Sequence, residues 1–219
     1  MIDSGFGSMD QIDYTSGKFK NSQKLCEEGH RDFTGHKLVN SVPVDGSSVK
    51  HGTNIVGVID QNSATPDFCV IVIKYYHEGI SGEAAVRASV RSIRYANEMG
   101  ADVINYSGGG TEPNEEEKVE VKKFLDRGGV FVAAAGNNHN QIGSKYNTYY
   151  PAMYDPRIIV VGNKTAKGNR SPSSNYGPPV NHWEVGENIE GYGIKLTGTS
   201  QATAVTTGKM LYKLAKGTK

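Results

Sequence analysis

Four apolar, β-rich runs punctuate the chain: "DFCVIVIKYY" (Asp67–Tyr76), "ADVINYSGGG" (Ala101–Gly110), "VFVAAAGN" (Val130–Asn137) and "RIIVVGN" (Arg157–Asn163). They are apolar at nearly every position rather than at every second one, which suits strands covered on both faces. Helix-patterned segments separate them. In "SGEAAVRASVRSIRYANEMG", Val86, Val90, Ile93 and Ala96 recur at helical spacing with Arg87, Arg91 and Arg94 turned elsewhere. This predicts a helix from about Gly82 to Glu98, stopped near Gly100. "PNEEEKVEVKKFLDRGG" predicts a second helix, with Glu115 to Glu117 at its start and Lys122, Lys123 and Arg127 toward its end, the order the helix dipole favours. Strands joined by helical crossovers pair in parallel. The expected fold is therefore α/β, a three-layer α/β/α arrangement around a mainly parallel central sheet.

The 219 residues suit a single domain spanning 1–219, and no repeat or linker interrupts them. Lys and Arg total 24 against 23 Asp and Glu, a net charge of +1, so neither nucleic acid nor an anionic membrane is an expected partner. No apolar run approaches the length of a membrane span. The opening "MIDSGFGSMDQID" is acidic and glycine-rich, unlike an export signal. As written, the chain reads as cytoplasmic, although a mature fragment of a secreted precursor would read the same. Of the two cysteines, Cys69 lies inside an apolar run and is expected to be a buried free thiol. A bridge to Cys26 is the other arrangement that the count allows.

In sheets of this kind, sites form at the carboxyl ends of strands. Asp3 follows "MI", Ser107 follows "DVINY" and Asn137 follows "VFVAAAG". "HGTNIVGVI" opens a predicted helix at His51, and "GTSQATAVTTG" places Ser200 ahead of a run of small residues. Each fragment alone has a plain reading, as strand-to-turn punctuation or a helix N-cap. Together they run Asp, His, Ser, one of several unrelated orders of the same catalytic triad.

On these residues the chain resembles the subtilisin-like serine proteases, or subtilases, almost from end to end. Asp3-Ser4-Gly5 resembles the family's acid motif, His51-Gly52-Thr53 its base motif, "AAAGN" its oxyanion-asparagine motif and "GTSQATAVTTG" its nucleophile motif. "DVINYSGGG", "YPAMYDPRIIVVG" and "SPSSNYGPPV" resemble intervening family segments in the right order. The resemblance implies a serine endopeptidase in which Ser200 is the nucleophile, His51 the base, Asp3 the orienting acid and Asn137 an oxyanion donor. It implies that Ser107, Gly108 and Gly109 pair with an extended peptide or protein substrate. Ala134, Ala135 and Gly136 would wall the pocket for the residue before the scissile bond. Tyr149 would form its floor, restricting it to small or medium side chains.

The resemblance breaks in three places. Only Met1 and Ile2 precede the acid, where the family has a full strand and further chain, which leaves room for a missing N-terminal segment or propeptide. The loop that holds a structural calcium in many members is absent, so no cofactor or metal is expected there; Asp10, Asp13, Asp60 and Asp67 are scattered carboxylates. After Ser200 come Gln201 to Val205 where the family has Met, two small residues, Pro and His, and Asn54 replaces a second histidine of the base motif. His30, His36, His77, His139 and His182 form no ligand spacing, and Trp183 reads as core or strand filler. Two other functions share the same residues: a catalytically impaired scaffold, and an acyl-transfer enzyme that passes the acyl group to an amine.

Overall fold

The computed structural model describes residues 1–7, 24–35, 42–65 and 67–217. Asp10, Asp13, His36 and Pro66 lie outside them. Seven strands form one sheet: β1 (Ile2–Asp3), β2 (Arg31–Asp32), β3 (Ile73–Lys74), β4 (Val103–Tyr106), β5 (Val130–Ala134), β6 (Ile159–Lys164) and β7 (His182–Val185). Their order is β2-β3-β1-β4-β5-β6-β7 and every pair is parallel. A two-stranded antiparallel hairpin, β8 (Ile189–Gly191) with β9 (Ile194–Leu196), stands apart. Among the described residues four helices complete the fold: α1 (His51–Ser63), α2 (Gly82–Glu98), α3 (Glu115–Asp126) and α4 (Thr199–Ala215). Helices α1 and α4 pack together on one side of the sheet, α2 and α3 on the other. No helix among the described residues is long and apolar enough to cross a membrane.

The helix-forming logic is local. Ser81 caps α2 by accepting from the Ala84 amide at 3.2 Å, and Asn114 caps α3 by accepting from Glu117 at 2.9 Å. On α2, Val90, Ile93 and Ala96 are buried while Arg87, Arg91 and Arg94 are exposed. The first apolar run behaves differently from a regular strand. Only Ile73–Lys74 is strand, and the residues before it are held by a bridge between Leu25 and Val70. Trp183 lies in β7, its ring close over Gly162, where a Cβ would come within 2.6 Å of it. His30 is a core histidine: Nε2 donates to the Cys26 carbonyl at 2.9 Å, Nδ1 accepts from the Val72 amide at 2.9 Å, and burial holds its pKa below the usual value.

The cysteines are joined, which corrects the free-thiol expectation. Cys26 and Cys69 form a disulfide across a sequence separation of 43. Backbone bonds from Val70 N to Lys24 O (2.7 Å) and from Cys26 N to Val70 O (3.2 Å) run the two segments side by side and bring the Cα atoms to 4.9 Å. An apolar run can bury a thiol or a bridge equally well, so only that pairing decides the matter. Closing a loop of this length restrains the unfolded chain by about 3–4 kcal/mol in the chain-entropy account. The double variant Cys26→Ser/Cys69→Ser should lose about that much stability in denaturant unfolding, with near-native far-UV circular dichroism.

Candidate active site

The interior strand β1 is two residues long, and Asp3 ends it, 3% exposed. Asp3 Oδ1 accepts from the His51 Nδ1 proton at 2.8 Å and from the Ser4 amide at 2.7 Å. A carboxylate only accepts, so this bond fixes the proton on Nδ1 and leaves Nε2 facing outward as the basic nitrogen. His51 opens α1, and the first turn of that helix presses onto the end of β1. A Cβ at Gly52 would meet the Gly5 carbonyl at 2.1 Å, so only glycine allows this approach.

A second carboxylate, which the sequence reading did not single out, secures the arrangement. Asp45 is 3% exposed and accepts from Ser4 Oγ (2.7 Å), Ser47 N (3.1 Å), Thr53 N (2.8 Å) and Thr53 Oγ1 (2.7 Å). Ser4 Oγ in turn accepts from the Gly52 amide at 3.0 Å. Asp45 thereby ties the chain after β1 to the start of α1, holding His51 against Asp3. In "VDGSS" it looks like a turn residue, and no local pattern marks it.

Burial alone would lower the pKa of His51. The Asp3 charge and its hydrogen bond reverse that, with a smaller contribution from Asp45, and the net direction is upward from 6.5. Protonation of His51 is therefore linked to folding: the stabilising contribution is full below 6.5 and is lost as pH rises through the folded value. An NMR titration of His51 should give a midpoint above 6.5, and in Asp3→Asn, where burial acts unopposed by that charge, a lower one.

Ser200 stands in the first turn of α4, 7% exposed. Its Oγ donates to the Ser107 carbonyl at 3.0 Å, at the end of β4. Asn137 follows β5, and its Oδ1 accepts from Thr199 N (2.9 Å) and Thr199 Oγ1 (3.1 Å). Because that oxygen is engaged by two donors, the orientation of the amide is determined and Nδ2 is the group free to donate beside Ser200.

Asp3, His51, Asn137, Ser200, Ser107, Gly108, Gly109 and Tyr149 all line one cleft of about 910 Å³. Ala134, Ala135 and Gly136 do not line it; the first two are at most 1% exposed. Ala134 is a buried residue of β5 and Ala135 belongs to the core, while Gly136 is covered by Tyr149, whose ring lies between the two glycine segments. A Cβ added at Gly109 would come within 2.6 Å of that ring, and one at Gly136 within 2.8 Å. Burial pushes the Tyr149 hydroxyl up to about 12, so it stays neutral.

Two departures from the family pattern meet each other. Gln201 Nε2 donates to Asn54 Oδ1 at 3.0 Å, and Asn54 Nδ2 donates to the carbonyls of Ile194 (2.7 Å) and Ile189 (3.2 Å). The pair links α1, α4 and the hairpin, with Gln201 2% exposed and Asn54 fully buried. The segment after Ser200 is continuous helix, with Thr203 and Thr206 hydroxyls bonded back to the carbonyls of Thr199 and Ala202.

Residues 2–217 match the subtilase family, and the chain belongs to it. It is 31% identical over 173 residues to the major intracellular serine protease of Bacillus subtilis (strain 168), covering 73% of this chain and 53% of that protein. It is 30% identical over 203 residues to thermitase of Thermoactinomyces vulgaris, covering 83% and 69%. The chain spans about half to two thirds of the length of the first curated relatives that it matches. A cold adapted subtilisin-like serine proteinase superposes with a TM-score of 0.74 at 22% identity, over 98% of this chain and 74% of that one. A lanthipeptide protease does so with a TM-score of 0.72 at 20% identity, over 100% and 74%.

Proposed function

We propose that the protein is a serine endopeptidase working through Ser200, His51 and Asp3, with Asn137 as an oxyanion donor. One observation carries the reading: the Asp3–His51 pair, Ser200 at the start of α4 and the free amide of Asn137 open onto a single cleft. In this mechanism the Ser200 hydroxyl rotates from the Ser107 carbonyl onto His51 Nε2. Its oxygen attacks the peptide carbonyl as its proton passes to His51. Asp3 stays ionised and stabilises the imidazolium. The negative charge that develops on the carbonyl oxygen is met by Asn137 Nδ2 and the Ser200 amide, which lies in the unpaired first turn of α4. His51 then protonates the leaving amine, and water, activated by the same histidine, hydrolyses the acyl-enzyme.

The substrate is an extended peptide. Gly108 and Gly109 lie beyond the last register pair of β4, Tyr106 with Ala133, in support of pairing with an added strand. Tyr149 fills the space between Gly109 and Gly136, in support of a preference for small or medium side chains immediately before the scissile bond. No calcium is required in this reading. The Cys26–Cys69 bridge favours an oxidising compartment over the cytoplasm, because reducing conditions would leave two thiols; a thiol count on freshly isolated protein decides.

The decisive experiment is labelling by a fluorophosphonate in buffer containing a chelator, with the adduct mapped by mass spectrometry. Label is expected on Ser200 and none in Ser200→Ala. Asn137→Ala should keep KM and lose about 10²–10³ in kcat, a range taken from the corresponding donor in subtilisin. A folded protein that neither takes the label nor cleaves any peptide would refute the reading in favour of a scaffold. Cleavage profiling should disfavour Phe and Tyr before the scissile bond, and Tyr149→Ala should admit them.

A further inference from the structure

Beyond Ser107 the cleft continues between the N-terminal halves of α2 and α3, where its inner wall is formed by Tyr75, Tyr106, Ser89 and Glu117. Glu117 is 5% exposed. Its Oε1 accepts from Ser89 Oγ and its Oε2 from Tyr154 Oη at 2.9 Å, both neutral donors. The Ser89 hydroxyl also hydrogen-bonds Tyr106 at 2.8 Å. The basic side chains nearby are engaged elsewhere. Arg94 and Lys123 each pair with Glu120 at 3.1 Å, Arg87 pairs with Glu83, and Lys118 lies 3.7 Å from Glu115.

Among the described residues no lysine or arginine lines the cleft, while Glu78, Glu83 and Glu112 join Glu117 along it. A carboxylate buried without a cation is costly, and burial accordingly drives the pKa of Glu117 upward, against the bonds from Ser89 and Tyr154. Tyrosine hydroxyls beside a carboxylate are a setting that receives a cation well, through hydrogen bonds of which the one to the carboxylate is charge-assisted.

We infer that Glu117 is a specificity-determining residue, and that this arm of the cleft takes a lysine or arginine side chain of the substrate upstream of the scissile bond. The inference rests on the cleft being the peptide site proposed above. The substrate class is then an extended peptide with a small or medium residue at the cut and a basic residue before it. The incoming cation supplies the missing counter-charge and so favours the ionised form of Glu117. The tyrosine hydroxyls contribute hydrogen bonds without charge, since burial holds Tyr75 and Tyr106 far above their usual pKa.

The test uses fluorescent peptides identical except for arginine, norleucine or glutamate at the second, third or fourth residue before the scissile bond. Binding to Ser200→Ala is read by anisotropy, and kcat/KM is measured on the wild-type enzyme. Arginine at one of these positions should improve both over norleucine by about tenfold or more, as a charge-assisted hydrogen bond provides. In Glu117→Gln the arginine-to-norleucine ratio should fall to about one. Should that variant not fold by circular dichroism, the wild-type ratios of arginine to norleucine and of arginine to glutamate decide. Equal binding of arginine and norleucine peptides, or a preference that persists in Glu117→Gln, would overturn the inference. Hydrolysis of norleucine peptides with no charge preference defeats this inference alone, whereas no binding and no hydrolysis of any peptide defeats the proposed function with it.

Discussion

The two-residue strand β1 is the pivot of the molecule. Ile2 pairs with Ile73 on one side and with Tyr106 on the other, so a single residue fixes the register of β3 and β4 about the centre of the sheet. The chain runs outward from β1 to β2 and β3, then returns past it to β4, which makes the β1/β4 boundary the point where strand order reverses. Loops diverge from the carboxyl ends at such a boundary and leave a crevice. Asp3 stands on one lip and Ser107 on the other, with the start of α4 above them, linked through the bond from Ser200 to Ser107.

Buried polar groups then convert the crevice into a defined site. Asp45 gathers Ser4, Ser47 and Thr53, and Ser4 gathers Gly52, so the histidine at the head of α1 cannot move without breaking several buried hydrogen bonds. The opposite side is held likewise: Thr207 Oγ1 donates to Asn105 Oδ1 (2.9 Å), and Asn105 Nδ2 donates to Ser107 Oγ (2.9 Å). Each unmade bond in such a network costs the desolvation of the group that is left, which is why these connections impose one geometry.

The altered residues around the nucleophile show the same economy. Gln201 and Asn54 depart from the family pattern separately in the sequence, yet in the fold each supplies the partner the other needs. Buried amides without partners would destabilise the packing of α1 on α4; paired, they bind it together. Helix continues through Val205 behind Ser200, and the Thr203 and Thr206 hydroxyls are satisfied by carbonyls one turn back.

What the sequence determined by itself was periodic or tied to a motif. The apolar runs and the Val86–Ala96 stripe specify the parallel sheet and the extent of α2, because burial acts on every turn and every strand residue. The order of Asp3, His51, Asn137 and Ser200 specifies which residues gather, since each sits where its own strand ends or its own helix begins. Only the tertiary structure decided the pairings between distant segments: Cys26 with Cys69, Asn54 with Gln201, Asp45 with Ser4, and the ring of Tyr149 between Gly109 and Gly136. These contacts depend on a few ångströms of approach between chains far apart in sequence. No periodicity encodes such distances; they follow from how the layers pack.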